Sequence, residues 1–350
     1  MIERLRNAAT WFIGLIRAPL WWDSKLPLAL GLAYSLAWSM HVPATALYFP
    51  MALLLVGGIT SAIFASIFND LLDEDEDRLA GKFTGMMQLS PTGKKVVLGL
   101  TLASMAATAI LLARYPAALA VYLSIWAFFT LYSLPPFRLK ARGIWGVLCC
   151  ALGEHFLYVL SIVLAAGAAH KTPPISMIIA IVTFAMAFGV RSILWHQLED
   201  SENDRISGID TLGAKYDPKF LRRLGEWCVF PLELFTLGVI LVGSHSPVAW
   251  ILLVCYAIVE RQRARGFHLN IVIVAPRPQY RFAMLEYYQL FLPVAFLIEY
   301  VRHDINAVPL LLAQLLLIPS PMRVLSTHTA DLVRRRLTLS YERVKSSMRN

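Results

Sequence analysis

The sequence predicts an all-α polytopic membrane protein with about nine, or ten, transmembrane helices. Three observations point there. Of 350 residues, 57% are hydrophobic and 16% charged, where a soluble domain carries about 25% charged residues, and mean hydropathy is +0.59. Apolar stretches recur down the chain at close to the ~20 residues a bilayer requires. Lys and Arg gather in alternate loops, as cytoplasmic loops do. No polar stretch is long enough for a separate soluble domain. Residues 1–320 therefore read as one membrane domain, and 321–350 as a basic cytoplasmic tail containing Arg334, Arg335 and Arg336.

The N-terminus sets Arg4 and Arg6 before a short apolar run, Ala8 to Ile16, which Arg17, Pro19 and Asp23 interrupt. No small-residue cleavage site follows, so an interfacial helix is expected rather than a signal peptide. Apolar stretches then fall at 26–40, 48–68, 95–113, 116–132, 144–167, 174–195, 227–243, 247–260, 287–301 and 306–319. The first and the last three are short, which lets a count of ten fall to nine. With both termini in the cytoplasm, the loops at 69–94, 133–143, 196–226 and 261–286 lie inside and carry most of the Lys and Arg. The opposite loops are nearly free of them. The net charge of +9 is thereby explained by topology, and no nucleic-acid partner is expected. Cys149, Cys150, Cys228 and Cys255 lack C-x-x-C spacing and sit in or beside apolar segments, so they read as packing residues.

Two inside loops share a pattern, D-x-x-x-D-R-(L/I)-(A/S)-G-x-x-T, beginning at Asp73 and at Asp200. Carboxylates at i and i+4 share a helical face. In the first copy Asp70, Asp73 and Asp77 fall on one face, with Asn69 adjoining. Six of the eight residues from Asp70 to Asp77 are acidic, a density that repels itself unless cations neutralise it. In the second copy His196, Asp200 and Asp204 form the stripe, and His196 reads as a hydrogen-bonding wall residue and a candidate base. Two such faces make a cage of hard oxygens suited to Mg²⁺ carrying a phosphorylated substrate. No second His or Cys lies within helical reach of His196, which argues against zinc. Arg78 and Arg205 directly follow the last Asp of each copy, and Lys82, Arg138 and Lys140 lie close by in sequence. Bases beside metal-holding carboxylates bind a diphosphate and stabilise it as it leaves. Arg142 reads as one more positive-inside charge. Gly81 and Gly208 mark helix ends, and Thr84 and Thr211 are candidate caps. Phe68, Tyr132 and Trp195 sit at the cytoplasmic ends of the motif-bearing helices, where their faces would stabilise an allylic cation.

Asn69, Asp70, Asp73 and Asp77, then Tyr132, Ser133, Pro135, Pro136 and Lys140, then Asp200, Asp204, Gly208, Thr211 and Leu212 resemble the signature of the UbiA superfamily of intramembrane prenyltransferases. The segment from Arg17 to Lys25 is similar to the family's opening. The resemblance spans about residues 15–300. It implies helices around a central cavity, Mg²⁺-dependent ionisation of an isoprenyl diphosphate, and transfer of the prenyl group to a hydrophobic or membrane-associated acceptor. Carried onto this chain, Asn69, Asp70, Asp73 and Asp77 hold one Mg²⁺ and Asp200 and Asp204 a second. Lys82, Arg138, Lys140 and Arg205 contact the diphosphate. Quinone-type members commonly carry an Arg-Thr…Arg-Pro element after the first motif. This chain has Gly81, Lys82, Phe83, Thr84 and Gly85 there, so the resemblance does not extend to an aromatic-acid acceptor. A terpene cyclase of the same superfamily, or a phosphoribosyl-type transfer to a polyprenyl phosphate, are the alternative enzymes. A transporter is disfavoured because its carboxylates sit near the bilayer midplane, not at helix ends.

Overall fold

A computed structural model describes residues 2–79, 81–206, 211–274 and 280–347. The expected interfacial helix is α1 (Ile2–Leu15), which exposes Trp11, Phe12 and Ile13 and so presents apolar side chains to a bilayer boundary. It stops where Arg17 takes a left-handed φ of 50° and Pro19 opens α2 (Ala18–Ser39). Next come α3 (Ala44–Leu72), the short α4 (Glu74–Leu79), and α5 (Pro91–Leu112). The Ser90 hydroxyl caps α5 by accepting from the Gly93 N–H at 3.1 Å. After α6 (Pro116–Ser133) and α7 (Ile144–Ala169) comes α8 (Ile175–Ile206), which runs well past the apolar stretch into the second acidic motif. Two short helices follow, α9 (Leu212–Lys215) and α10 (Pro218–Leu224), then α11 (Phe230–Ser244) and α12 (Pro247–Gly266). A parallel pair, β1 (Asn270–Val272) with β2 (Tyr280–Phe282), leads to α13 (Leu292–His303), α14 (Val308–Leu317) and α15 (Pro319–Ser347).

Among the described residues six helices are long and apolar enough to cross a membrane, or seven if α14 and the start of α15, bent by 77°, form one broken span. The count of nine or ten is not reached on length and composition. The missing spans have identifiable causes. α2 begins with Asp23 and Lys25, α12 ends in Glu260, Arg261, Arg263 and Arg265, and α13 is only 12 residues long. α2 is nonetheless the most enclosed helix, burying Leu28, Leu32 and Leu36 completely against α7, α13 and α3. α5 is peripheral and turns Val96, Leu100 and Ile110 outward.

Among the described residues, the ion pair between Arg191 of α8 and Glu233 of α11 has no exposure at either side chain. Its two bonds measure 2.7 and 2.8 Å, and Tyr288 donates to Glu233 at 2.7 Å. Arg191 also donates to the carbonyls of Ile273 and Ala283 at 3.2 and 3.3 Å and lies 4.4 Å from the Phe282 ring centroid. Every charge there is matched, which a low-dielectric interior demands. The pair ties α8 to α11 and to the segment after α12.

Candidate active site

α7 packs against both α3 and α8, so the two acidic motifs face each other across one end of the bundle. On the first wall α3 ends at Leu72, yet the helical path survives the break. The Asp73 N–H bonds to the Asn69 carbonyl at 2.9 Å, and the Asp77 N–H to the Asp73 carbonyl at 2.8 Å. Asn69, Asp73, Glu76 and Asp77 therefore line a common cavity of about 450 Å³. Asn69 Oδ1 accepts from the Ser133 hydroxyl at 3.1 Å. Asp75 faces away and is exposed. Asp70, 1% exposed, lies behind the lining in an ion pair with Arg17.

The second wall is the last turns of α8, from which His196, Asp200 and Asp204 line the same cavity. The loop beyond is stapled back onto it. Thr211 donates to Asp204 Oδ2 at 2.8 Å and caps α9 by accepting from the Ala214 N–H at 3.1 Å. Gln197 Oε1 accepts from the Gly213 N–H at 3.1 Å. A Cβ at Gly213 would stand 2.1 Å from the Gln197 carbonyl oxygen, so only glycine permits this approach. Gly208, expected at the helix end, lies outside the described residues. Burial raises the Asp204 carboxyl above the ordinary range, opposed by the Thr211 hydrogen bond and reinforced by Asp200. Burial and the Asp73 charge likewise raise Asp77.

The bases divide into two groups. Lys82 reaches Asp200 at 3.5 Å, bridging the walls, and Lys140 pairs with Asp73. Both line the cavity, as does Tyr132. Gly146 lets the turn at Leu139–Ala141 seat Lys140, since a Cβ there would meet the Leu139 carbonyl at 2.9 Å. Arg138 pairs with Glu76 and, at 3.4 Å, with Asp73, but is not part of the lining. Its bond to Glu76 raises its basicity further. Arg205 is also outside the lining, its Nε donating to the Ala214 carbonyl at 3.1 Å. One residue past Asp204 on a helix is about 100° round the axis, off the carboxylate face. Phe68 stacks on Phe64 at 5.0 Å, and Trp195 packs edge-on to His196 and Phe282; neither lines the cavity.

The structure adds cavity-lining residues that periodicity alone does not reveal. Arg17 enters the cavity from the turn before α2 and approaches Asp77 at 4.0 Å as well as Asp70. Lys25 pairs with Glu154 at the entrance to a second, apolar pocket of about 190 Å³, formed by residues such as Leu26, Gly58, Ala62, Ile125 and Leu157. Glu154 alone carries a signal in the sequence, as the one carboxylate inside the apolar run 144–167, whereas its pairing with Lys25 and the contacts of Arg17 carry none.

Among the described residues no three Asp, Glu, His or Cys side chains converge closely enough to hold a metal ion. Arg17 and Lys140 are the ion-pair partners of Asp70 and Asp73. The donor set nevertheless suits a hard divalent cation, because Asp70 Oδ2 and Asp77 Oδ2 are buried without a hydrogen-bond partner. Such oxygens are costly unless a cation or donor meets them.

A comparison with the curated proteins finds no match. Among solved structures, a UbiA homologue from Archaeoglobus fulgidus bound to Cd²⁺ aligns with a TM-score of 0.53 at 15% identity, covering 86% of this chain and 98% of that one. A UbiA homologue from the same organism bound to DMAPP and Mg²⁺ gives 0.50 at 17% identity, covering 90% and 99%. At such identity the likeness concerns the fold. The family model of the UbiA prenyltransferase family matches residues 11–270. With the paired acidic walls set round one cavity, the chain belongs to the UbiA prenyltransferase family.

Proposed function

We propose that the chain is an intramembrane prenyltransferase that uses Mg²⁺ to ionise an isoprenyl diphosphate and passes the prenyl group to a hydrophobic or membrane-associated acceptor. The observation that carries this reading is a polar basin adjoining an apolar pocket. Asn69, Asp73, Asp77, Asp200 and Asp204 ring the basin, and the two spaces share Trp21, Ala65 and Phe129. That is the shape of an amphiphile with a charged head and a hydrocarbon tail. A homologue of the same fold is described as bound to DMAPP and Mg²⁺.

In this reading Asn69, Asp70, Asp73 and Asp77 hold one Mg²⁺, and Asp200 and Asp204 hold another. Bound there, the metal supplies charge stabilisation to the departing diphosphate. Lys140 and Lys82 exchange their carboxylate partners for diphosphate oxygens, and Arg17 gives up Asp70 in the same exchange. Arg138 keeps Glu76 and Asp73 in position, while Arg205 braces α9 against α8. Tyr132 and the apolar pocket exclude water from the developing cation. The basin opens to the cytoplasm with both termini on that side. Residues 1–320 form one membrane domain, and the basic tail 321–350 lies on anionic lipid.

The deciding experiment incubates purified protein with prenyl diphosphates of graded length and Mg²⁺, with and without membrane lipid extract. A product whose mass equals prenyl plus an extract component is the expected result. A hydrocarbon formed without extract identifies a cyclase instead, and incorporation from labelled phosphoribosyl diphosphate identifies the third chemistry.

A further inference from the structure

The duplicated motif sets a threonine seven residues after its last aspartate in both copies, Thr84 after Asp77 and Thr211 after Asp204. The two threonines are employed differently. On the second wall the Thr211 hydroxyl donates to Asp204 Oδ2 at 2.8 Å and accepts from the Ala214 N–H at 3.1 Å. That bond fixes one carboxylate oxygen against the loop and leaves the other for a basin ligand. On the first wall Thr84 is only 7% exposed, yet its Oγ1 has no hydrogen-bond partner. It does not cap the turn at Met86–Gln88, where Gly85 holds the cap position. Asp77 Oδ2 is equally unmet, with Arg17 Nη2 standing 4.0 Å away, beyond hydrogen-bond reach. A buried donor and a buried acceptor are each costly when left open, and the same spacing joins them in the other copy.

The backbone already brings this loop back to Asp77. The Lys82 N–H bonds to the Asp77 carbonyl at 2.8 Å, and Gly81 permits the reversal at a φ of 70°. On the other side of Thr84, a Cβ on Gly85 would stand 2.9 Å from the Leu15 Cα. Met86 is fully buried with Leu15 and Ile67. Thr84 is therefore anchored before and after, and its hydroxyl is the group left without a duty.

We infer that Thr84 is a positioning residue for Asp77: with Mg²⁺ and a prenyl diphosphate in the basin, its hydroxyl donates to Asp77 Oδ2, as Thr211 already donates to Asp204 Oδ2. This rests on the prenyltransferase reading above. The two walls are then unequal before substrate arrives. The second is locked in advance, and the first locks on loading, as Arg17 gives up Asp70. One oxygen of Asp77 is held by Thr84 and the other is kept for the basin, which sets the direction of the carboxylate without removing its charge.

The test uses full-length protein in nanodiscs, first stripped with EDTA and then loaded with DMAPP and Mg²⁺. Thermal unfolding is read in both states, and DMAPP binding is titrated at fixed Mg²⁺. Thr84→Val keeps the shape of the side chain and removes the hydroxyl. Empty, it should melt within about 1 °C of the wild type or above it, because no bond is lost and an unmet polar group is gone. Loaded, its rise in melting temperature should fall about 2–4 °C short of the wild type's, and DMAPP should bind about tenfold more weakly. Thr84→Ser should restore both. Thr211→Val, by contrast, should melt about 2–4 °C low already when empty. A Thr84→Val protein that melts as low as Thr211→Val when empty, a loading rise equal to the wild type's, or a Thr84→Ser no better than Thr84→Val would each overturn the assignment. A wild type whose melting temperature DMAPP and Mg²⁺ leave unmoved instead defeats the prenyltransferase reading, before any variant is compared.

Discussion

Asp73 and Asp75 stand two positions apart on the same acidic run and meet opposite surroundings. Asp73 is buried among Lys140, Arg138 and the cavity, whereas Asp75 is exposed. Asp73→Asn and Asp204→Asn should each lower turnover about 100-fold or more, the scale on which lost electrostatic stabilisation of a leaving group is measured. Asp75→Asn should stay within about threefold; steady-state kinetics on the three variants checks the register, and equal sensitivity at 75 would sink it. Arg17 makes a different prediction. It competes with a cation for Asp70, so Arg17→Ala should tighten Mg²⁺ binding in the absence of substrate, by about tenfold if its charge offsets about 1.4 kcal/mol. Calorimetric titration reads this directly, and unchanged or weaker binding would mean Arg17 never blocks the metal. The carboxylate faces were legible because i, i+4 spacing is a local property of a helix. Arg17 and the Lys25–Glu154 pair were not, since their partners arrive from other helices. Arg205 shows the converse: it adjoins Asp204 in sequence, yet its guanidinium turns to the Ala214 carbonyl.

At the scale of elements, the buried Arg191–Glu233 pair makes α8 a fixed wall. Arg191→Met leaves Glu233 a buried charge without a counter-ion, met only by the Tyr288 hydroxyl, which should cost about 3–5 kcal/mol. The double variant Arg191→Met with Glu233→Leu should recover most of it. Thermal unfolding in detergent measures both, and a double variant as unstable as the single would show that the charges themselves, rather than their balance, hold the helices. Gly213 works at the same scale. Gly213→Ala pushes a methyl against the Gln197 carbonyl and should loosen the Thr211 bond to Asp204, reducing turnover more than thermal stability. Helix ends and acidic loops could be read from sequence, but the number of crossings could not. Apolar length identifies a helix that meets lipid on its own merits. α2 and α13 are sheltered by neighbours, so they bear charges and shortness that hydropathy rejects.

At the scale of the molecule, the two motifs become one site only because α7 sits between α3 and α8. Both walls are oxygen-rich, so chelation with EDTA followed by washing should abolish turnover, and Mg²⁺ or Mn²⁺ should restore it; full activity after chelation would dismiss the metal-dependent reading. α7 has a second consequence. Its Gly153 lies where a Cβ would touch the Phe129 ring at 3.2 Å, and across the pocket a Cβ on Gly58 would stand 2.6 Å from Leu26. The calibre of the hydrocarbon compartment is thus governed by residues that share no duty with the carboxylates. A single methyl added at either glycine narrows this compartment toward shorter tails, while the carboxylate walls stay as they are.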